Sequence, residues 1–325
     1  LDTSFKYFFE DGKCITAFAD RQKFAKEIVE KTTDSEESLF RYLEDISTKY
    51  DITNEVFSEN SLHIAGNYLK KKFLSGILNF HKIDAFNSMH EGNKRFFKDP
   101  NVIQLFDYYA SYVGSNPLVA PATLNLISHL VLNIGTCMPD KGMYSIIMAL
   151  VKLAEDIGVR FFYNSRVDEI LVKDRAAIGI KVKERVLPYD RVISNMDVYY
   201  TYERLLPGEK KPTRILNQPK SSSVIAFYWG VKGTHPELDI HNMLFTRDEH
   251  EEYSTVFEGG NISNDPSVYL CITSKHVKSD APAGSENWFA LVTAPNDQNQ
   301  DWEEIISRTR KNVISKVNRM LSVDI

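Results

Sequence analysis

The spacing of apolar positions changes period once between Pro139 and Asp197, and that change organises the rest of the chain. Ile146, Ile147, Leu150, Leu153, Ala154 and Ile157 fall on one face of a helix, with Gly158 as its stop. The code then becomes short runs rich in β-branched and aromatic residues at 160–163, 167–172, 177–182 and 192–194. The pattern predicts a helix, a strand, a hairpin and a returning strand: an α/β unit opened by a turn at Asp140, Lys141 and Gly142.

Elsewhere the punctuation is mostly local. The stretch FKYFFEDGKCITAFAD, residues 5–20, reads as two strands around a turn at Glu10, Asp11 and Gly12. Asp20 is placed to cap a helix running to Val29, and Asp34 or Ser35 starts a long one. Asp99 followed by Pro100 is an N-cap with proline at the first helical position. The region from Asp34 to about Leu132 is expected to be helical, and 120–134 is nearly uncharged, which demands burial or an apolar neighbour. A helix at 198–206 and a polar link at 208–223 precede strand-like runs at 224–231, 268–273 and 288–293. Gly, Pro, Asn and Asp break these runs apart, as in an antiparallel sheet. Trp302–Leu321 closes the chain as an amphipathic helix.

Two stretches invite a functional reading beside a structural one. In 67–86, Tyr68, Leu69, Phe73, Leu74, Ile77, Leu78 and Phe80 accompany Lys70, Lys71 and Lys72. A basic amphipathic helix of this kind can lie at a bilayer interface, or it can be a core-facing helix with solvated lysines. Phe96, Phe97, Phe106, Tyr108, Tyr109 and Tyr112 could line a tunnel for a long apolar ligand, or simply fill a core.

Composition narrows the classes. A chain of 325 residues, 43% hydrophobic and 26% charged, can fill two domains, and a formal charge of −5 gives no field to attract nucleic acid. Cys14, Cys137 and Cys271 are far apart and show no CxxC or Cys/His spacing, so reduced thiols and no metal site are expected. No apolar run reaches the ~18 residues of a membrane span and no signal peptide precedes the first segment, so a cytoplasmic protein is expected. The inner face of the membrane is the alternative location. The chain begins without Met inside an expected strand, as a piece of a longer protein would. GxGxxG, GxxxxGK[ST], GxSxG and HExxH are all absent. His63, His81, His90 and His129 each read as hydrogen-bonded surface or core residues. Asp45, Glu55, Glu91 and Asp107 could serve as acids or bases, although carboxylates on helices are usually solvated.

Several segments gain meaning from their order: FKYFFEDG, then SYVGSNPLVAPATLNLISHL, PDKGMYSIIMALVKLAEDIGVRFFYNSRVDEI, VISNMD, SSSVIAFYWGV, NDPSVYLCITSK, and Asp280, Ala281, Pro282 with Gly284 and Glu286. Together they resemble the phytoene desaturase family of FAD-dependent carotenoid desaturases and isomerases, most closely the hydroxycarotenoid or γ-carotene type. The resemblance spans nearly the whole chain. The family's Gly-rich βαβ unit and its closing flavin-contacting segment have no counterpart here. The family's turn reads Pro, a basic residue, Gly, Gly, whereas here Lys141 stands where the first Gly is expected.

The resemblance implies a truncated two-domain α/β (α+β) flavoprotein of the amine-oxidase or p-hydroxybenzoate-hydroxylase type. Residues 1–18 and 208–325 would form a mostly antiparallel substrate-domain sheet with its closing helix. Residues 19–134 would form a helical lid facing the membrane, and 135–207 a remnant of the FAD-binding domain. The cofactor implied is FAD in the whole protein and not in this segment, which alone is expected to be inactive. A backbone group at Val167 would contact the adenine, and Asn195 and Met196 would lie toward the cofactor. No catalytic acid or base is carried over, because such chemistry rests on holding a C–C bond against the flavin. The expected partners are a carotenoid or other long polyene and a membrane surface, met by Tyr68, Leu69, Lys70, Lys71, Lys72, Phe73, Tyr108, Tyr109 and Tyr112. A carotenoid isomerase, ketolase or saturase and a non-catalytic lipid-binding protein are the alternatives.

Overall fold

Side-chain caps set where the helices begin in the computed structural model, which describes residues 1–54, 64, 66 and 78–325. Strands β1 (Thr3–Phe8) and β2 (Cys14–Phe18) pair antiparallel, and Gly12 takes φ +83° in the turn between them. The Asp20 carboxylate then accepts from the amides of Gln22 and Lys23 and starts α1 (Arg21–Lys31). Ser35 caps α2 (Glu36–Thr53), Ser88 caps α3 (Met89–Lys94), and Asp99 with Pro100 starts α4 (Pro100–Asp107). Asp34 is buried, and its carboxylate accepts from the amides of Lys98 and Asp99, tying the start of α2 to the start of α4. A 3-10 turn, Tyr108–Val113, ends at Gly114, whose φ of +62° no β-branched residue would accept readily. In the uncharged stretch that follows, Ala120, Ala122, Ile127 and Leu132 are buried, whereas Leu130 and Ile134 are exposed.

Two compact units make up the chain: Leu1–Met143 with Ser221–Ile325, and Tyr144–Lys220. The second contains α5 (Tyr144–Asp156) and a three-stranded antiparallel meander, β3 (Glu169–Lys173), β4 (Ala176–Val182) and β5 (Arg185–Pro188). The helix and the β3–β4 hairpin match the sequence pattern. Residues 160–163 and 192–194 do not form strands, and β5 takes the place of the expected returning strand. A strand needs a ladder partner for its amides and carbonyls. Among the described residues neither segment has one, and Phe162, Tyr163 and Ile193 are exposed.

The first unit is completed by β6 (Ser223–Lys232), β7 (His241–Leu244), α6 (Glu249–Phe257), β8 (Val268–Cys271), β9 (Ser285–Ala294) and α7 (Trp302–Leu321). Its sheet runs β2-β1-β7-β8-β9-β6 and is antiparallel throughout except for the β1–β7 pair. Burial alternates strictly along β9, so each face of the sheet supports its own core. Trp288, Ala290 and Val292 pack toward Ile305, Val313 and Val317 of α7. On the other face Phe5, Tyr7 and Phe9 pack with Phe24, Leu39, Tyr42 and Phe106 of the helices and with Phe97 of the loop before α4. The result is an α+β unit with helices on both faces of a mostly antiparallel sheet.

Candidate functional site

The face of the sheet that carries Tyr7 also carries a row of rings across five strands. Ladder partners in register share a face, so Tyr7 on β1 lies beside Met243, Met243 beside Tyr269, Cys271 beside Phe289, and Phe289 beside Tyr228. The rings follow that order. Tyr7 stacks on Phe245 at 5.9 Å, Phe5 lies 5.2 Å from His241 and 6.0 Å from Tyr269, and Phe289 lies 6.4 Å from Tyr269 and 5.2 Å from Tyr228. One end of the row is covered. Tyr108 packs edge-on to Phe245, and Tyr109 meets Tyr7 hydroxyl to hydroxyl at 3.2 Å and Tyr112 ring to ring at 5.6 Å. The other end is open, with Tyr228 81% exposed.

The rings of the row are neutral. Burial pushes the Tyr112 phenol up to about 12 and raises those of Tyr108, Tyr109 and Tyr269 further. Burial likewise lowers His241, whose Nδ1 lies 2.7 Å from the Tyr269 hydroxyl. Such a strip can receive a long, flat apolar molecule and offers it hydroxyl groups without charge. Of the sequence candidates, Tyr109 is buried, Tyr108 half-buried and Tyr112 half-exposed, and all three belong to this assembly. Phe5, His241, Phe289 and Tyr228 were not singled out, although the alternation along the later strands would have placed Tyr228 and Phe289 opposite the buried set.

In the second unit, Val167 and Met196 line one cleft of about 350 Å³ with Arg166, Asp168, Arg204 and Leu205. Asp197 caps the next helical turn through the Tyr199 amide, and the Thr201 hydroxyl donates to the Met196 carbonyl, which fixes the end of the VISNMD segment. Asn195 is exposed and does not line the cleft. The apolar stripe of α5 is uncovered: Ile146, Ile147, Leu150, Leu153 and Ile157 are all exposed, and the helix buries no residue. At the preceding turn the Gly142 amide donates to the Pro139 carbonyl, and the left-handed residue is Gly142 with φ +76°. Lys141 has an ordinary φ and is exposed, so the turn's geometry does not require glycine there.

Tyr68, Leu69, Lys70, Lys71, Lys72 and Phe73, together with Glu55 and His63, lie outside the described residues. Just beyond them Leu78, Phe80 and Phe86 are exposed, and no helix among the described residues is long and apolar enough to cross a membrane. The remaining ionisable candidates divide. His81 is exposed, and Glu91 is paired with Lys94 at the surface. Asp45 is engaged with the buried Lys49 at 2.8 Å. His129 is buried beside Asn133 and stacked on Tyr50. Asp107 departs from the expected solvated carboxylate: its side chain is fully buried and sits on His90. That hydrogen bond raises the His90 imidazole above its usual value against the opposing effect of burial. The three cysteines are free.

With this geometry in place, the comparisons identify the class. Residues 79–322 match the family described as flavin containing amine oxidoreductase, and the chain belongs to that family. Its curated relatives are carotenoid enzymes, in agreement with the motif order. It is 37% identical over 99% of its length to the 1-hydroxycarotenoid 3,4-desaturase of a Flavobacterium species and 28% identical over its whole length to a 4,4'-diapolycopene oxygenase from a Methylomonas species. It is 32% identical over 72% of its length to the phytoene desaturase of Neurospora crassa. The chain spans 66% of the first two relatives and 42% of the third. Among solved structures, an oxidoreductase from Methanosarcina mazei shares the fold, with TM-score 0.56 and 16% identity over 81% of this chain and 60% of that one.

Proposed function

We propose that this chain is the substrate-holding part of an FAD-dependent carotenoid desaturase, which removes hydrogen from a polyene to extend its conjugation. The observation that carries the reading is the neutral aromatic face running from the covered Tyr7 to the exposed Tyr228. A conjugated chain laid along such a face is held by stacking and by exclusion of water, and its C–C bonds are kept in one plane.

The residues of the second unit fit a flavin nucleotide's adenosine end. Val167, Leu205 and Met196 give the cleft an apolar side, and Arg166 and Arg204 stand at it as cations for phosphate oxygens. Val167 and Met196 would therefore contact the nucleotide, and FAD, when bound, supplies the acceptor for the hydride leaving a saturated carbon. The chain's own contribution is orientation. Among the described residues the rings of the row carry no carboxylate, so the proton lost with the hydride leaves to water or to a group beyond the rings.

The test is to express the whole protein with candidate carotenes and follow the absorption spectrum and product mass. Desaturation shifts absorption to longer wavelength with loss of two hydrogens per step. A mass gain of oxygen would instead point to the chemistry named for the Methylomonas relative. A purified protein that holds no flavin and leaves every polyene unchanged overturns the proposal.

A further inference from the structure

One cluster of ionisable side chains away from the aromatic row is assembled from three separate elements. His90 stands on α3, Asp107 ends α4 and Glu249 opens α6. His90 Nδ1 lies 2.6 Å from Asp107 Oδ2 and 3.8 Å from Glu249 Oε1, and the donor atoms of the three residues all lie within 4.8 Å of one another. The Asp107 side chain is fully buried, and those of His90 and Glu249 are 16% and 14% exposed. Asn93 Nδ2 donates to the second Asp107 oxygen at 2.7 Å and orients it. Glu249 Oε2 and Asn93 Oδ1 are buried with no partner, and Asn93 as a whole is fully buried. The His250 ring stands edge-on to His90 with 5.5 Å between centroids. The nearby ammonium of Lys94 is turned to Glu91 at 3.0 Å on the surface.

Two carboxylates thus share a buried space with a single imidazole, and one carboxylate oxygen is unsatisfied. Buried charge of one sign is costly unless a counter-charge or a metal answers it. We propose that His90, Asp107 and Glu249 bind a divalent first-row metal ion of the zinc class, which clamps α3 and α4 to α6. One imidazole nitrogen with two carboxylate oxygens is a donor set that such ions accept. Metal–ligand bonds of about 2.0–2.2 Å set neighbouring donors roughly 3–3.5 Å apart. The close His90–Asp107 contact opens slightly and Glu249 closes slightly to reach that spacing. As the ion binds, protons carried by the two carboxyl groups leave to water, and His90 presents Nδ1 as a neutral imidazole with its remaining proton on Nε2. Asn93 supplies the outer hydrogen bond that fixes a ligating carboxylate. His250 is the nearest further donor, and water completes the coordination. No spacing motif marks the site, because Glu249 comes from an element far along the chain from the consecutive helices that carry His90 and Asp107.

The experiment uses the whole protein, stripped with a chelator and titrated with Zn²⁺ by calorimetry and with Co²⁺ by visible absorption. The expected result is a single saturable ion per chain, about tenfold or more weaker in Glu249→Gln and Asp107→Asn. His276→Ala, which alters a surface pair with Asp140, should leave binding unchanged. Near-UV circular dichroism establishes which variants fold, and Glu249→Gln alone decides if Asp107→Asn does not. Absence of binding in the wild type, or equal binding in folded Glu249→Gln, overturns the proposal. Carotenoid turnover is not read, so the outcome stands apart from the proposed activity.

Discussion

Glu286 gathers the Lys275 ammonium at 2.6 Å, the Trp288 indole N–H at 2.9 Å and the His235 amide at 3.2 Å on one buried carboxylate. Burial works to raise its pKa, but the hydrogen bonds, led by that of Lys275, outweigh it and hold the carboxyl below its ordinary 4.5. A depressed carboxyl contributes stability above its unfolded value and loses it as pH falls through the folded one. Glu286→Gln keeps the shape and an acceptor but leaves Lys275 without its counter-charge, at a cost of about 1–3 kcal/mol. Urea denaturation at neutral pH should show that deficit, and the gap between wild type and variant should shrink as pH drops below 4.5. At this scale the sequence was legible where the chemistry is local. Asp20, Ser35 and Asp99 cap the helices as their types predict. It was not legible for Asp107, whose burial is decided by His90, Asn93 and the packing of α4.

The YVGSNP motif is an element joint. The 3-10 turn Tyr108–Val113 ends on Gly114, the Ser222 amide donates to the Gly114 carbonyl at 3.1 Å, and β6 begins at the next residue. A Cβ at Gly114 would meet the Ser221 Cβ at 2.9 Å, on a backbone already left-handed. Gly114→Ala should therefore lose about 1–2 kcal/mol for the left-handed residue and more for the collision. Gly12→Ala, also left-handed but with nothing within 4 Å, should lose only the first part. Thermal unfolding of the two variants makes the comparison. Periodicity found α5 and α7 because a helix declares itself by its own residues. Strands depend on partners. β5 and β7 are four residues each and passed unnoticed, while 160–163 and 192–194 look like strands and have no ladder. The β3–β4 hairpin was legible from its flanking strands alone, since Asp174 and Arg175, both left-handed, stand where Asn-Gly would have announced the turn.

Across the whole molecule, the fold class followed from motif order and the mostly antiparallel sheet from strand-like runs broken by Gly, Pro, Asn and Asp, and family membership agrees with the fold class. The aromatic face was only half visible. The tyrosine-rich stretch at 108–112 stood out in the sequence, but the other rings come from five strands whose adjacency only the sheet order reveals. The uncovered stripe of α5 belongs to the second unit. The central claim is that the face ending at Tyr228 holds the polyene. Tyr228 is 81% exposed, so replacing it should leave the fold intact. The decisive measurement is steady-state desaturation by the whole protein carrying Tyr228→Asp, with flavin content determined in parallel. A raised KM of about tenfold or more, as when an aromatic contact of about 1.5 kcal/mol is lost and a charge is set against an apolar chain, is the predicted result. An unchanged KM at unchanged flavin content would contradict it.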